Sequence, residues 1–272
     1  MSPLPDDVRG VVEVARRVLH HSLDDLADDL RRASGDVEPS PKADGTPVTA
    51  LDHEVDARLR AAIAAALPTH GVLSEEGTTV VPDTEWCWVI DPIDGTSNFT
   101  AGLPYWCVSV GLALRGEIVF ATIDAPGLRR RYEATLGEGA QRNGHPIRVR
   151  EMIAWDDATM GHVPVMLTTG TARRARQAGV ALNPRVMGST ALDMAFVAEG
   201  VAAASVAIIP HVWDIAAGSL LVREAGGAVV TLDGDDLLPL RVGDDHLNTH
   251  APTAAGTDAH AVRLLAKRLL PD

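Results

Sequence analysis

A chain of 272 residues with 46% apolar content can bury one large core or two modest ones. Its formal net charge of −13 argues against a nucleic-acid surface or an anionic membrane as partner, since both need basic patches; small anions stay open, because local cations decide their binding. No apolar run approaches the ~20 residues that span a bilayer, and the start Met1-Ser2-Pro3-Leu4-Pro5-Asp6-Asp7 lacks the basic and apolar regions of a secretion signal, so a cytoplasmic protein is expected.

Over residues 8–30 the apolar positions Val8, Val11, Val12, Ala15, Val18, Leu19, Leu23, Leu26 and Leu30 predict an amphipathic helix, with Asp24, Asp25, Asp28 and Asp29 on a solvated face. Residues 33–50 break every period and are rich in Pro, Gly and Ser, which predicts a long, functional loop. Lys42 sits at its tip, one of two lysines in the chain. A second helix is predicted to begin near Asp52, whose carboxylate reads as its cap, and to run to Pro68.

Residues 71–77 are a short apolar run ending in the acids Glu75 and Glu76. Residues 86–90 form another run that stops at Asp91, and Asp94 follows inside a Pro/Gly turn. Pro92 fixes its own φ and gives up its N–H, while Gly95 can take a positive φ, so both acids can point into one small volume. Two carboxylates that close repel by roughly 1 to 4 kcal/mol. A proton or a hard divalent cation such as Mg²⁺ answers that repulsion.

Beyond Thr96 the pattern becomes a sheet, with strands predicted over 104–114, 118–123, 130–134 and 140–149 and a turn at Asn143-Gly144. Arg129-Arg130-Arg131 reads as an edge-strand charge run. Cys87 and Cys107, at strand-like positions, read as reduced core residues rather than a disulfide. A composition shift near residue 150 divides the chain into an N-terminal part, 1–150, and a C-terminal part, 151–272. In the second part, Arg173, Arg174 and Arg176 are expected on a water-facing helix. Gly188-Ser189-Thr190 opens a further helix whose N-terminus suits an anion or polyol contact, or a plain cap. A strand over 205–209 leads to Asp214, which reads alone as an N-cap. His246-x-x-x-His250 has metal spacing but no third ligand nearby, and the last predicted helix, 258–270, reads as a structural cap.

Asp91-Pro-Ile-Asp94-Gly-Thr96-Ser-Asn-Phe, preceded by Ser74-Glu75-Glu76-Gly77 and followed by Trp213-Asp214-Ile-Ala-Ala-Gly218, resembles the inositol monophosphatase family of Mg²⁺-dependent, lithium-sensitive phosphatases. Lys42-Ala-Asp-Gly-Thr-Pro-Val-Thr49-Ala-Leu-Asp52 and Gly188-Ser-Thr-Ala-Leu-Asp193 agree with it, and the order matches from about residue 8 to 230. The resemblance implies an α/β chain with an α+β N-terminal half, folded as the layered α-β-α-β-α sandwich of the inositol monophosphatase and fructose-1,6-bisphosphatase type, and a homodimer.

It also implies roles. Glu75, Asp91 and the Ile93 carbonyl would hold one Mg²⁺, and Asp91, Asp94 and Asp214 a second, with two or three ions in all. Glu76 would support the cluster. Asp52 and Thr96 would orient the attacking water, and Lys42 would lie in a mobile loop beside the anionic site, so that Asp52, Thr96, Glu75 and Lys42 form the catalytic set. Gly95, Thr96, Gly188, Ser189, Thr190 and Asp214 would contact substrate, a small phosphate ester, and Arg185, with Arg173, Arg174 and Arg176, is a candidate to meet a second phosphate. Ala207 stands seven residues before Asp214, where animal inositol phosphatases carry a glutamate for an inositol hydroxyl. Histidinol phosphate, fructose 1,6-bisphosphate and adenosine 3′,5′-bisphosphate are therefore alternatives to an inositol, sugar or polyol phosphate. A rival of another class is a non-catalytic relative that regulates through protein contacts, as some bacterial members assist transcription complexes.

Overall fold

The first helix, α1 (Asp6–Ala33), buries Val12, Ala15, Leu19, Leu23, Leu26 and Leu30 along one stripe. It opens on Asp6 and Asp7 and closes on Arg31 and Arg32, charges that oppose its dipole favourably at both ends. The structure, a computed structural model, describes residues 4–42, 47–151, 161–232 and 236–269. Within the stretch expected to be a long, functional loop, β1 (Ser40–Pro41) and β2 (Pro47–Val48) pair as a small antiparallel ribbon. Thr49 then caps α2 (Ala50–Ala66), and Asp52 is the third residue of that helix, completing a reciprocal capping box rather than serving as the N-cap itself.

Seven strands follow one another in a single sheet: β3 (Gly71–Ser74), β4 (Trp86–Asp94), β5 (Cys107–Leu114), β6 (Glu117–Ala125), β7 (Arg130–Thr135), β8 (Gly139–Arg142) and β9 (His145–Ile147). Only the β3–β4 pair is parallel within it; the others are antiparallel. The predicted strand over 140–149 is thus a hairpin. Asn143 and Gly144 both take positive φ, 50° and 78°, the twist that lets a two-residue turn match its strands. Because this hairpin continues the sheet, β7 is interior, and the edge-strand reading of Arg129–131 fails. Arg131 bonds Asp124 and Asp24, each at 2.8 Å, and Arg130 bonds Glu199 at 3.0 Å.

The second sheet has the order β11-β10-β12-β14-β13, with β10 (Pro164–Leu167), β11 (Asn183–Arg185), β12 (Ala204–Ala207), β13 (Ala228–Thr231) and β14 (Thr253–Gly256). Helix α4 (Thr169–Gln177) and the last helix, α7 (Ala259–Leu269), cover its outer face, burying Ala175, Val262, Leu265 and Leu269 against Val165, Val206 and Ala254. Between the sheets lie α5 (Thr190–Ala198) and α6 (Val212–Glu224), whose Leu192, Ala195, Leu221 and Val222 share a core with Cys107 and Ile123 on one side and Met166 and Ala255 on the other. On the far face of the first sheet, α1 and α2 pack Leu19, Leu23, Leu59 and Ile63 against Trp88, Ile90, Val110 and Phe120. The order is helices, sheet, helices, sheet, helices: the expected five-layer α-β-α-β-α sandwich. Cys87 and Cys107 are both buried and free. No described helix is long and apolar enough to cross a membrane.

Candidate active site

The parallel register sets Ser74 opposite Ile90, and the Glu75 N–H donates to the Ile90 carbonyl at 3.1 Å. Glu75 and Asp91 therefore leave adjacent strands at the same level. The β4–β5 ladder then breaks between Asp91 and Asp94, where Pro92 has no N–H to offer. Gly95 takes φ 98°, and a Cβ there would stand 3.0 Å from the Tyr105 carbonyl oxygen, so this tight turn needs glycine. It delivers Asp94 and starts the short helix α3 (Thr96–Thr100).

The N-terminus of α5 receives Asp94. The Ser189 hydroxyl and the Ala191 N–H donate to Asp94 Oδ2 at 2.7 and 2.6 Å, and the Thr190 N–H reaches Oδ1 at 3.3 Å. The anion that the N-terminus of α5 meets is thus the protein's own Asp94, and Ser189 and Thr190 hold that carboxylate. Asp214 is the third residue of α6, not its N-cap, and accepts the His211 N–H at 2.9 Å. Asp52, 1% exposed, takes the Thr49 N–H and hydroxyl on Oδ2 at 2.8 and 2.6 Å. Its Oδ1 lies 3.3 Å from Thr96 Oγ1, which is also 3.0 Å from the Ile93 carbonyl. One Thr96 proton serves two acceptors.

The four acids lie within reach of one another's charge. Burial first, then the charges of Glu75, Asp94 and Asp214, push Asp91 well above the carboxylate range. Asp214 is raised by burial and by Asp94 and Glu75. Burial lifts Asp94 to about 6 even though Ser189 and Ala191 pull it down. Lys42 donates to Glu75 at 2.6 Å and is ion-paired with Glu76; burial lowers its pKa, but these two acids outweigh that and hold the ammonium above its ordinary value. Among the described residues, no three His, Cys, Asp or Glu side chains already close on one point as a formed metal site would. The donor set nevertheless suits a hard cation: Asp91 Oδ1 is buried without a hydrogen-bond partner, and an ammonium rests on Glu75.

The other residues singled out from the sequence lie apart from this cluster or beside it. Gly188, at φ 86°, lets the chain pass Asn98, whose amide donates to the Tyr105 and Met187 carbonyls at 2.7 and 2.6 Å. Arg185 is exposed and bonds Asn183 in its own strand at 2.7 Å. Arg173, Arg174 and Arg176 are exposed on α4. Ala207 is buried and lines a small void with Thr190, Met194 and Ile215. The His250 ring meets His211 edge-on at 4.2 Å, and His211 stacks on Trp213 at 4.6 Å. A cavity of about 1090 Å³ between α1 and β7–β9 contains none of the four acids.

Sequence reasoning passed over the Tyr105–Asp193 pair, in which the phenol donates to a carboxylate 2% exposed at 2.8 Å. The available signal was a single acid inside the apolar run Ala-Leu-Asp-Met-Ala-Phe-Val, since a buried charge needs a partner.

The description of the inositol monophosphatase family matches residues 7–268. The Nus factor SuhB of Salmonella typhimurium is 38% identical over 212 residues, 73% of this chain and 76% of that protein. The inositol-1-monophosphatase of Rhizobium meliloti is 35% identical over 214 residues, 75% of this chain and 80% of that one. Among solved structures, the extragenic suppressor protein suhB from Bartonella henselae superposes with a TM-score of 0.79 at 26% identity, over 94% of this chain and 98% of that one. This chain belongs to the inositol monophosphatase family of phosphomonoesterases.

Proposed function

We propose that the protein hydrolyses a small phosphomonoester, an inositol, sugar or polyol phosphate, in a Mg²⁺-dependent reaction. The observation that carries this reading is that Glu75, Asp91, Asp94 and Asp214, from separate segments, come near enough for each charge to disfavour the ionisation of its neighbours. These side chains and the Ile93 carbonyl would hold two or three Mg²⁺ ions. The metal supplies charge neutralisation on the phosphate and a lowered pKa for a bound water.

The protein's own groups do the rest. Thr96 Oγ1 can accept a proton from the attacking water as its own moves to Asp52 Oδ1, which orients the water in line with the phosphorus and requires no phosphoenzyme. The N–H groups of Gly95 and Thr96 serve the phosphate oxygens. Lys42, directly after β1 and hydrogen-bonded to Glu75, brings a compact positive charge that the ester phosphate would share. Lithium would compete for the same oxygen donors. A cytoplasmic homodimer completes the reading: the exposed Leu103, Val186 and Met187 offer apolar surface near the outer strand β11.

A second reading, a non-catalytic role through protein contacts, is favoured by the name of the Salmonella relative, a Nus factor. The full set of converging carboxylates opposes it as the sole role. Phosphate release from inositol phosphates, histidinol phosphate, fructose 1,6-bisphosphate and adenosine 3′,5′-bisphosphate, with Mg²⁺ and with chelator, tests the proposal. Release from at least one ester only with Mg²⁺ supports it; release indifferent to chelator contradicts it.

A further inference from the structure

Asp91 stands directly opposite Ser109 in the antiparallel β4–β5 ladder, so both side chains leave the same face of the sheet, close enough to interact. That face meets the middle layer. Gly111, two residues along β5, lies so close to α6 that a Cβ would touch Ala216 at 3.5 Å. Ser109 is 1% exposed and Asp91 2%. The Ser109 hydroxyl and Asp91 Oδ1 are both buried with no hydrogen-bond partner.

Two unmet polar atoms in register are unusual, because a buried hydroxyl without a partner is costly. The other aspartates of the cluster are each tied down: Asp94 by Ser189, Thr190 and Ala191, and Asp214 by the His211 N–H. Asp91 shares a hydrogen bond with the Glu75 carboxyl, but its Oδ1 has no donor, and the hydroxyl in register with it belongs to Ser109. A serine hydroxyl turns about a single bond and can donate.

We propose that Ser109 is the positioning residue of Asp91: the two groups stand in register without a bond between them, and when a cation is seated the hydroxyl turns to donate to the carboxylate and fixes its orientation. This rests on the reading of the four acids as a Mg²⁺ site. Ser109 does not touch substrate. It acts through Asp91, as outer groups commonly orient metal-binding carboxylates.

The test is Mg²⁺ titration calorimetry on the full-length, substrate-free protein and on Ser109→Ala and Ser109→Cys, with thermal unfolding in chelator alongside. The cysteine variant fills the same site with a slightly larger side chain that is only a weak donor. Both variants are expected to bind Mg²⁺ about 10- to 100-fold more weakly, with KM for the ester unchanged and kcat recovering at raised Mg²⁺. If Ser109→Ala does not fold, Ser109→Cys decides. Parent-like Mg²⁺ affinity in Ser109→Cys overturns the role of Ser109 and leaves the metal site standing. A parent protein that binds no Mg²⁺ overturns the metal site, and this proposal with it.

Discussion

Ser189 donates to Asp94 at 2.7 Å across 95 residues of chain, joining the acidic turn after β4 to the N-terminus of α5. The bond makes the first sheet and the middle helical layer share one carboxylate, so the position of Asp94 depends on how the two parts of the chain pack.

Ser189→Ala removes this donor and also the cap that Ser189 provides to the Leu192 N–H. Loss of the cap is expected to cost about 1 kcal/mol of stability. Loss of the Asp94 contact is expected to weaken Mg²⁺ affinity about 10- to 100-fold. Thermal unfolding in chelator and metal titration separate the two effects.

The raised pKa of Asp94 gives a pH dependence of definite sign. A carboxyl lifted from 3.8 to about 6 in the folded protein contributes stability that is present below its unfolded value and lost as pH rises through about 6. In chelator, Tm is therefore expected to fall as pH rises across this window, as like charges accumulate. Mg²⁺ is expected to reverse the trend, because it binds the ionised form, and to release protons on binding near that pH. Tm against pH with and without Mg²⁺ checks both.

His70 titrates in the opposite sense. Its Nδ1 lies 3.1 Å from Trp88 Nε1, a donor, so the ring must be neutral there, and its ring stacks on Trp86 at 5.4 Å. Burial holds its pKa below the ordinary 6.5, so the stability it contributes is present above 6.5 and lost as pH falls through the lowered value. Tryptophan fluorescence is expected to change across this window, and His70→Gln to remove that step.

Tyr105→Phe leaves the Asp193 carboxylate without its phenol donor. The expected cost is about 1–3 kcal/mol, a fall in Tm of several degrees read by calorimetry. Asp193→Asn, which keeps an acceptor for the phenol, is expected to cost less.

Much of this was legible beforehand because it is local. The stripe of α1, the run into Asp91, the Pro92/Gly95 turn and the order of the strands are set by side-chain period and backbone restriction within a few residues. Less legible was which partner each polar atom takes. Ser189, Thr190, Asp52 and Asp214 read as ordinary helix-start residues because a cap and a site residue share one chemistry. They differ only in what lies opposite: Asp94 for the first two, Thr96 for Asp52, and the other acids for Asp214. Arg131 read as an edge charge because its partners, Asp24 and Asp124, come from α1 and β6. The Ser109–Asp91 register follows from a ladder that no local pattern specifies.

The central claim, that Glu75, Asp91, Asp94 and Asp214 form one cation site, is tested most directly by calorimetric titration of metal-stripped protein with Mg²⁺, parent against Asp214→Asn. Saturable binding of two or three ions by the parent, lost or reduced in the variant, is the expected result. No saturable binding by the parent, or identical binding by Asp214→Asn, would contradict the account.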